Sequence, residues 1–151
     1  MTVTIDKDAA LAGVEMGVSI IGRDLKDDSG NSLYDKVKIQ ERDKSLVSSL
    51  VDDSYGVLMN ELGPFVKESN GFTFTLNDRF RFSVIAVDDI PSLVQHYLIN
   101  HSSAEWFKLK AVEFASIFDN RAEENLKTIF EKLRKKGEPV MKKFEEVEEE
   151  V

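Results

Sequence analysis

From Ala115 onward the apolar residues Ala115, Phe118, Ala122, Leu126, Ile129 and Leu133 recur at steps of three and four. That spacing sets side chains on one face of a helix. The stripe opens with small and aromatic groups and becomes aliphatic. A small residue lets a neighbouring helix approach closely, and a large one fills the space beside it. The pattern predicts a helix from about Val112 to Lys136, stopped by Gly137, with Pro139 beyond it. A chain carrying such a stripe must supply other helices to cover it.

Those helices can be read upstream. Asp6 or Asp8 offers a cap, and Leu11, Val14, Val18, Ile21 and Leu25 mark the face that follows. Gly13, Gly17 and Gly22 weaken this helix by roughly 1 kcal/mol each relative to alanine, so it depends on close packing. A second helix spans about Gln40 to Glu61, with Val47, Leu50, Val51, Ser54, Leu58 and Leu62 inward, and Gly63-Pro64 breaks it. Asp88-Asp89-Ile90-Pro91 starts a third, which carries Leu93, Tyr97, Leu98 and Trp106. Lys26 to Lys38 reads as a polar loop. Its Asp27-Asp28-Ser29-Gly30-Asn31 is not a calcium loop, since Leu25 and Lys36 would fall at the terminal ligand positions.

Two segments alternate with period two. Thr2 to Ile5 suits a short strand or an extended arm. Phe72, Phe74 and Leu76 alternate with Thr73 and Thr75; Asn77-Asp78 offers a turn; Phe80, Phe82 and Val84 alternate with Arg79, Arg81 and Ser83. The reading is a hairpin at about 71–86 with one Phe-rich face and one Thr/Arg face. The fold class is therefore mainly α: a helical bundle of about four helices with one β-hairpin insertion. A single domain over residues 1–139 precedes an acidic C-terminal tail, 140–151, expected to be dispensable for folding.

Chemistry is scarce. The 151 residues contain no cysteine, which excludes disulfides, thiolate metal sites and thiol nucleophiles. His96 and His101 are five apart, so they do not share a helix face as a zinc pair would. No phosphate-binding glycine loop or nucleophile elbow is present, and Asp52-Asp53 and Asp88-Asp89 read as solvated face and helix cap. No metal, cofactor or catalytic residue is expected. No apolar run is long enough to span a bilayer, and the N-terminus lacks the pattern of a signal peptide, so the expectation is a cytoplasmic origin with no membrane partner.

The net charge of −8 argues against nucleic acid as a partner. Arg134-Lys135-Lys136 is the one basic run, and it suits a helix C-terminus. Against that background Arg79 and Arg81, placed by strand alternation on one face of the hairpin, form a local cationic pair able to meet an acidic patch on another copy or another protein. Phe72, Phe74, Arg79, Phe80, Arg81 and Phe82 are the candidate interface residues.

The order of features resembles a group of small structural proteins of tailed bacteriophages and prophages of gut Bacteroidales. That group has a helix-rich N-terminal half, an apolar-alternating segment and a helix ending in a Trp-centred patch. A last helix of the form Ala-x-x-aromatic-x-x-x-Ala-x-x-x-Leu follows, then basic residues and proline. Trp106, Ala115, Phe118, Ala122, Leu126, Ile129, Leu133, Arg134-Lys135 and Pro139 carry the resemblance. It covers about residues 89–139; the remainder agrees in element order, and the acidic C-terminus departs from the basic one of the group. The resemblance implies a non-enzymatic head–tail connector in the virion neck. It would be a homo-oligomeric ring, of 12 copies by resemblance, between the portal and other neck or tail proteins, without a cofactor or sequence-specific nucleic-acid contact. The competing readings are a small monomeric helical binding or regulatory module of a bacterial cell, and an enzyme built from scattered carboxylates.

Overall fold

The computed structural model describes residues 1–137. The chain runs through β1 (Thr2–Thr4), α1 (Lys7–Asp24), α2 (Tyr34–Val37), α3 (Lys44–Leu62), β2 (Val66–Asn70), β3 (Thr73–Leu76), α4 (Val84–Val87), α5 (Ile90–Lys110) and α6 (Ala115–Arg134). Four long helices and one small antiparallel sheet make a mainly α fold with a hairpin. The tail expected at 140–151, and Pro139, lie outside the described residues.

The helix signals act as local chemistry requires. Asp6 rather than Asp8 caps α1, its carboxylate accepting from the Ala9 amide at 3.1 Å. Gly63 (φ 49, ψ −119) ends α3, and Pro64 follows in a short 3-10 turn. Pro91 stands in the first turn of α5. Asp89 does not cap that helix with its side chain. It reaches instead to Lys132 of α6 at 3.1 Å. The segment read as a polar loop contains α2. There Val37 is fully buried, and its carbonyl accepts the Trp106 indole N–H at 2.6 Å.

The hairpin exists but sits earlier than expected. Its strands are β2 and β3, joined by the two-residue loop Gly71-Phe72, with Gly71 at φ 59. Gly71 at the first loop position is the hairpin turn signal, and it outweighs Asn77-Asp78. Residues 79–84 are therefore not the second strand. Asp78–Phe80 form a 3-10 turn and Arg81 adopts the left-handed conformation (φ 50, ψ 56). Phe82 then makes an isolated antiparallel bridge with Lys136. The alternation in this segment does mark extended chain, but its partner is the run after α6. On the other side of β3, β1 pairs in register Thr2–Thr75, Val3–Phe74 and Thr4–Thr73, giving sheet order β1-β3-β2.

Two apolar clusters form the core. One joins Val3, Phe74, Leu76, Leu58, Leu62, Ile90, Val94, Leu98, Ile129 and Leu133 beneath the sheet. The other joins Val14, Val18, Val37, Val47, Val51, Trp106, Phe107 and Phe118. Phe72 packs against both. Along α6, Ala115, Phe118, Ala122, Ile129 and Leu133 are buried and Leu126 is half-buried.

Two of the three α1 glycines are there for space. A Cβ at Gly22 would lie 2.7 Å from Val37 Cγ2, and one at Gly13 would lie 2.5 Å from Ile99 Cδ1. At Gly17 the nearest atom would be 3.8 Å away, an ordinary contact. We therefore expect Gly17→Ala to stabilise the fold by up to about 1 kcal/mol through helix propensity. Gly22→Ala should destabilise it, because stiff, buried Val37 has no room to yield; urea denaturation of the two variants reads the opposite signs.

Phe74 is only 1% exposed whereas Phe82 is half-buried. Phe74→Ala should cost about 3–5 kcal/mol. Phe82→Ala should cost clearly less, and equal losses in the same denaturation experiment would contradict this placement.

Candidate functional site

The six candidate residues fall into two groups. Phe74 belongs to the core. Phe72 leans on Tyr55, with ring centroids 4.8 Å apart, and carries the Lys7 ammonium 5.4 Å above its ring. Neither is a free contact surface. Arg79, Phe80, Arg81 and Phe82 lie together on the far side of β3, in the irregular segment between the sheet and α4.

That segment is built around an aromatic cluster. Phe65 lies 4.9 Å from Phe80, 6.1 Å from Phe82 and 6.2 Å from Phe130 of α6, and Phe80 and Phe82 stack at 5.9 Å. Such tilted and offset arrangements are the favoured ones for aromatic pairs. Cations rest on the cluster. The Arg79 guanidinium is 4.9 Å and the Lys136 ammonium 5.3 Å from the Phe80 ring centre, and Arg134 is 5.2 Å from that of Phe130. Lys136 also donates to the Phe80 carbonyl at 2.9 Å.

Backbone bonds fix the arrangement. Gly137 N–H donates to the Arg81 carbonyl at 2.7 Å, and Ser83 N–H to the Lys135 carbonyl at 3.1 Å. A side chain on Gly137 would sit 3.1 Å from the Phe82 carbonyl oxygen. The basic run after α6 is thus stitched beside Arg79 and Arg81, and does more than complement a helix terminus. Arg79 and Arg81 are both exposed, but through the 3-10 turn and the left-handed residue after it, not through strand alternation. Val84, expected on the buried face of the hairpin, is 83% exposed and its neighbour Ile85 is 87% exposed.

Phe65, Phe130, Arg134, Lys136, Val84 and Ile85 join the site without having been read as part of it. The aromatic and basic types were visible. Their convergence depends on residues 81–83 pairing with residues 135–137, a long-range choice that periodicity does not encode.

One polar cluster lies inside the fold. Ser54 Oγ is 2.8 Å from the Leu50 carbonyl, 2.7 Å from His101 Nδ1 and 3.0 Å from Ser102 Oγ. All three contacts are satisfied when Ser54 donates to Leu50 and receives from the imidazole and from Ser102. Ser54 is fully buried, so the pair ties α3 to α5 and does not present a nucleophile. Tyr97 stacks on His101 at 5.4 Å, and burial pushes its hydroxyl up to about 12. Among the described residues no group of three or more acidic or histidine side chains is placed to hold a metal ion, and no helix is long and apolar enough to cross a membrane.

Burial lowers the His101 pKa from its usual 6.5; Glu105 and Asp119 oppose the shift and Lys108 adds to it. The folded state thus binds a proton less readily than the unfolded chain. The resulting stability is fully present above 6.5 and is lost as pH falls from there through the folded-state value. His101→Gln should flatten this part of the stability–pH curve, measured by urea denaturation at stepped pH. A wild-type curve already flat across it would refute the assignment.

Comparison of the chain with protein-family models, with curated proteins and with solved structures gives no match.

Proposed function

We propose that this chain is a non-enzymatic structural subunit of a phage virion, a head–tail connector that works as a homo-oligomeric ring in the neck between portal and tail. The observation that carries the reading is the surface from Arg79 to Ile85. Two exposed arginines and two almost fully exposed aliphatic residues fall within this one short segment on a chain of net charge −8. Such a cationic and apolar segment on an acidic protein fits contact with an acidic surface, and copies joined head to tail through unlike patches form a ring where the rotation between them closes. The mainly helical body with a small sheet agrees with what the resemblance implies.

The alternative, a small monomeric binding module, draws on a different observation. Between α1 and the start of α3 lies a groove of about 220 Å³, lined by Asp8, Leu11, Ala12, Glu15, Lys44 and Val47. A groove of this kind fits a small partner better than a ring contact does.

Electron microscopy of intact particles decides between them: a neck ring of identical copies supports the connector, and absence from particles moves the weight to the binding module. Arg79→Glu combined with Arg81→Glu should impair assembly while thermal unfolding of the isolated subunit stays cooperative. Unchanged assembly would remove these arginines from the interface.

A further inference from the structure

Helix α1 is apolar on two sides. Val14 and Val18 face the core and are fully buried. On the opposite side Ala9, Ala12, Met16 and Ile20 recur at steps of three and four and are exposed, Met16 at 65% and Ile20 at 55%. A surface helix ordinarily puts charged groups there, and a helix apolar all round is ordinarily a covered one. Ala12, Glu15, Met16, Ser19, Ile20 and Arg23 line a shallow concavity of about 570 Å³ along this face. The groove that reaches Lys44 and Val47 shares Ala12 and Glu15 with it and continues it toward α3. On a chain of net charge −8 the six residues hold one acid and one base, so the patch is locally neutral.

We propose that this face pairs with the same face of a second copy, α1 against α1, antiparallel around a two-fold axis. Two observations select a second copy over an unlike partner. Copies of an acidic chain repel, and they meet at least cost where the local charge is nil. The patch also holds its own counter-charges. In two-fold packing one patch serves both sides, so that residue i meets j and j meets i. With Met16 set against Ile20 of the second copy, a rise of about 1.5 Å per residue puts Arg23 about 3 Å along the axis from Glu15 of that copy, within reach of a long side chain. Glu15 and Arg23 lie on one flank of the apolar stripe, and antiparallel helices related by such an axis bring like flanks together. The Glu15–Arg23 contact therefore forms twice, beside a centre of Met16 and Ile20. Within the subunit Arg23 rests 5.8 Å from the Tyr34 ring centre, and Lys44, across the groove from Glu15, is held by Glu41 at 2.9 Å. One helix face is smaller than the roughly 800 Å² per partner of a standard interface, so the pair forms reversibly. The contact uses neither Arg79 nor Arg81 and does not rest on the connector reading.

Sedimentation of the full-length protein across about 10 μM to 1 mM should show a reversible monomer–dimer equilibrium. Met16→Glu combined with Ile20→Glu changes exposed positions only. It should abolish the dimer, while cooperative urea unfolding shows the subunit intact. Arg23→Glu alone, or Glu15→Arg alone, sets like charges together at two symmetry-related places and should raise the dissociation constant roughly tenfold. Glu15→Arg and Arg23→Glu in the same chain should restore it. The chain has no cysteine, so Ser19→Cys, close to the two-fold axis, gives one thiol per copy. A short bismaleimide should join two such copies, and should not join copies carrying Asn60→Cys near the far end of α3. A monomer throughout the concentration range overturns the inference. So does a dimer that survives Met16→Glu with Ile20→Glu, or a pair of charge reversals whose combination restores nothing. Loss of ring assembly on changing Arg79 and Arg81 leaves this pairing unaffected, so the two readings fail separately.

Discussion

The structure depends on burying α5 on several sides at once. This helix has α6 along one flank, α1 and α3 along others, and β1 near its start. Its sequence has no broad polar stripe: Val94, Tyr97, Leu98, Ser102, Ser103, Ala104, Trp106 and Phe107 are all buried. A helix enclosed in this way can carry polar groups inside only if each finds a partner. Ser103 donates back to the Ile99 carbonyl, Ser102 joins Ser54 and His101, and Trp106 gives its indole proton to Val37. No buried side-chain polar atom of the described residues lacks a partner. The last of these bonds locks the otherwise polar connection between α1 and α3 onto the core, through one turn of helix at α2.

The four long helices were legible because each has a face with regular apolar spacing, and three have a start or stop residue whose chemistry is local: Asp6, Gly63 and Pro91; α6 is not stopped by Gly137 but ends at Arg134, where Lys135 turns extended. The short strand at the N-terminus was legible for the same reason, since Val3 and Ile5 alternate with threonine. The hairpin was displaced because two turn signals competed. Asn77 does make a local turn, its side chain accepting from the Arg79 amide at 3.3 Å, but Gly71 supplies the positive φ that the two-residue hairpin loop needs. Once that turn is taken, Phe74 has strands on both sides, and residues 79–84 must find another neighbour. α2 was missed because four residues carry too little periodicity to stand out from a polar loop.

The candidate surface was half legible for a related reason. Arg79 and Arg81 were conspicuous as cations in an acidic chain. Phe65 and Phe130, on which their neighbourhood is built, looked like any other core aromatics. Cation–π contact with partly exposed rings stabilises by about 0.5–1 kcal/mol. Guanidinium and ammonium groups resting on Phe80 and Phe130 are therefore held loosely enough to be recruited by a carboxylate. The aromatic cluster orders the cations without neutralising them, which distinguishes this surface from the Lys7–Asp52 and Lys132–Asp89 pairs elsewhere.

The pairing of β1 with β3 bears on how the chain is made. Residues 2–4 are synthesised well before 73–75, their sheet partner, and Val3 is buried with Phe74 in a cluster that includes α5 residues made later still. The opening segment must wait, extended and unpaired, through the synthesis of α1, α3 and the hairpin before it has anything to bind. Threonines at its solvent-facing positions keep it water-compatible during that interval, and its brevity leaves little edge on which another nascent chain could pair. β1 is thus made before the strand it needs and becomes native only after that strand exists, a vectorial order set by sheet topology.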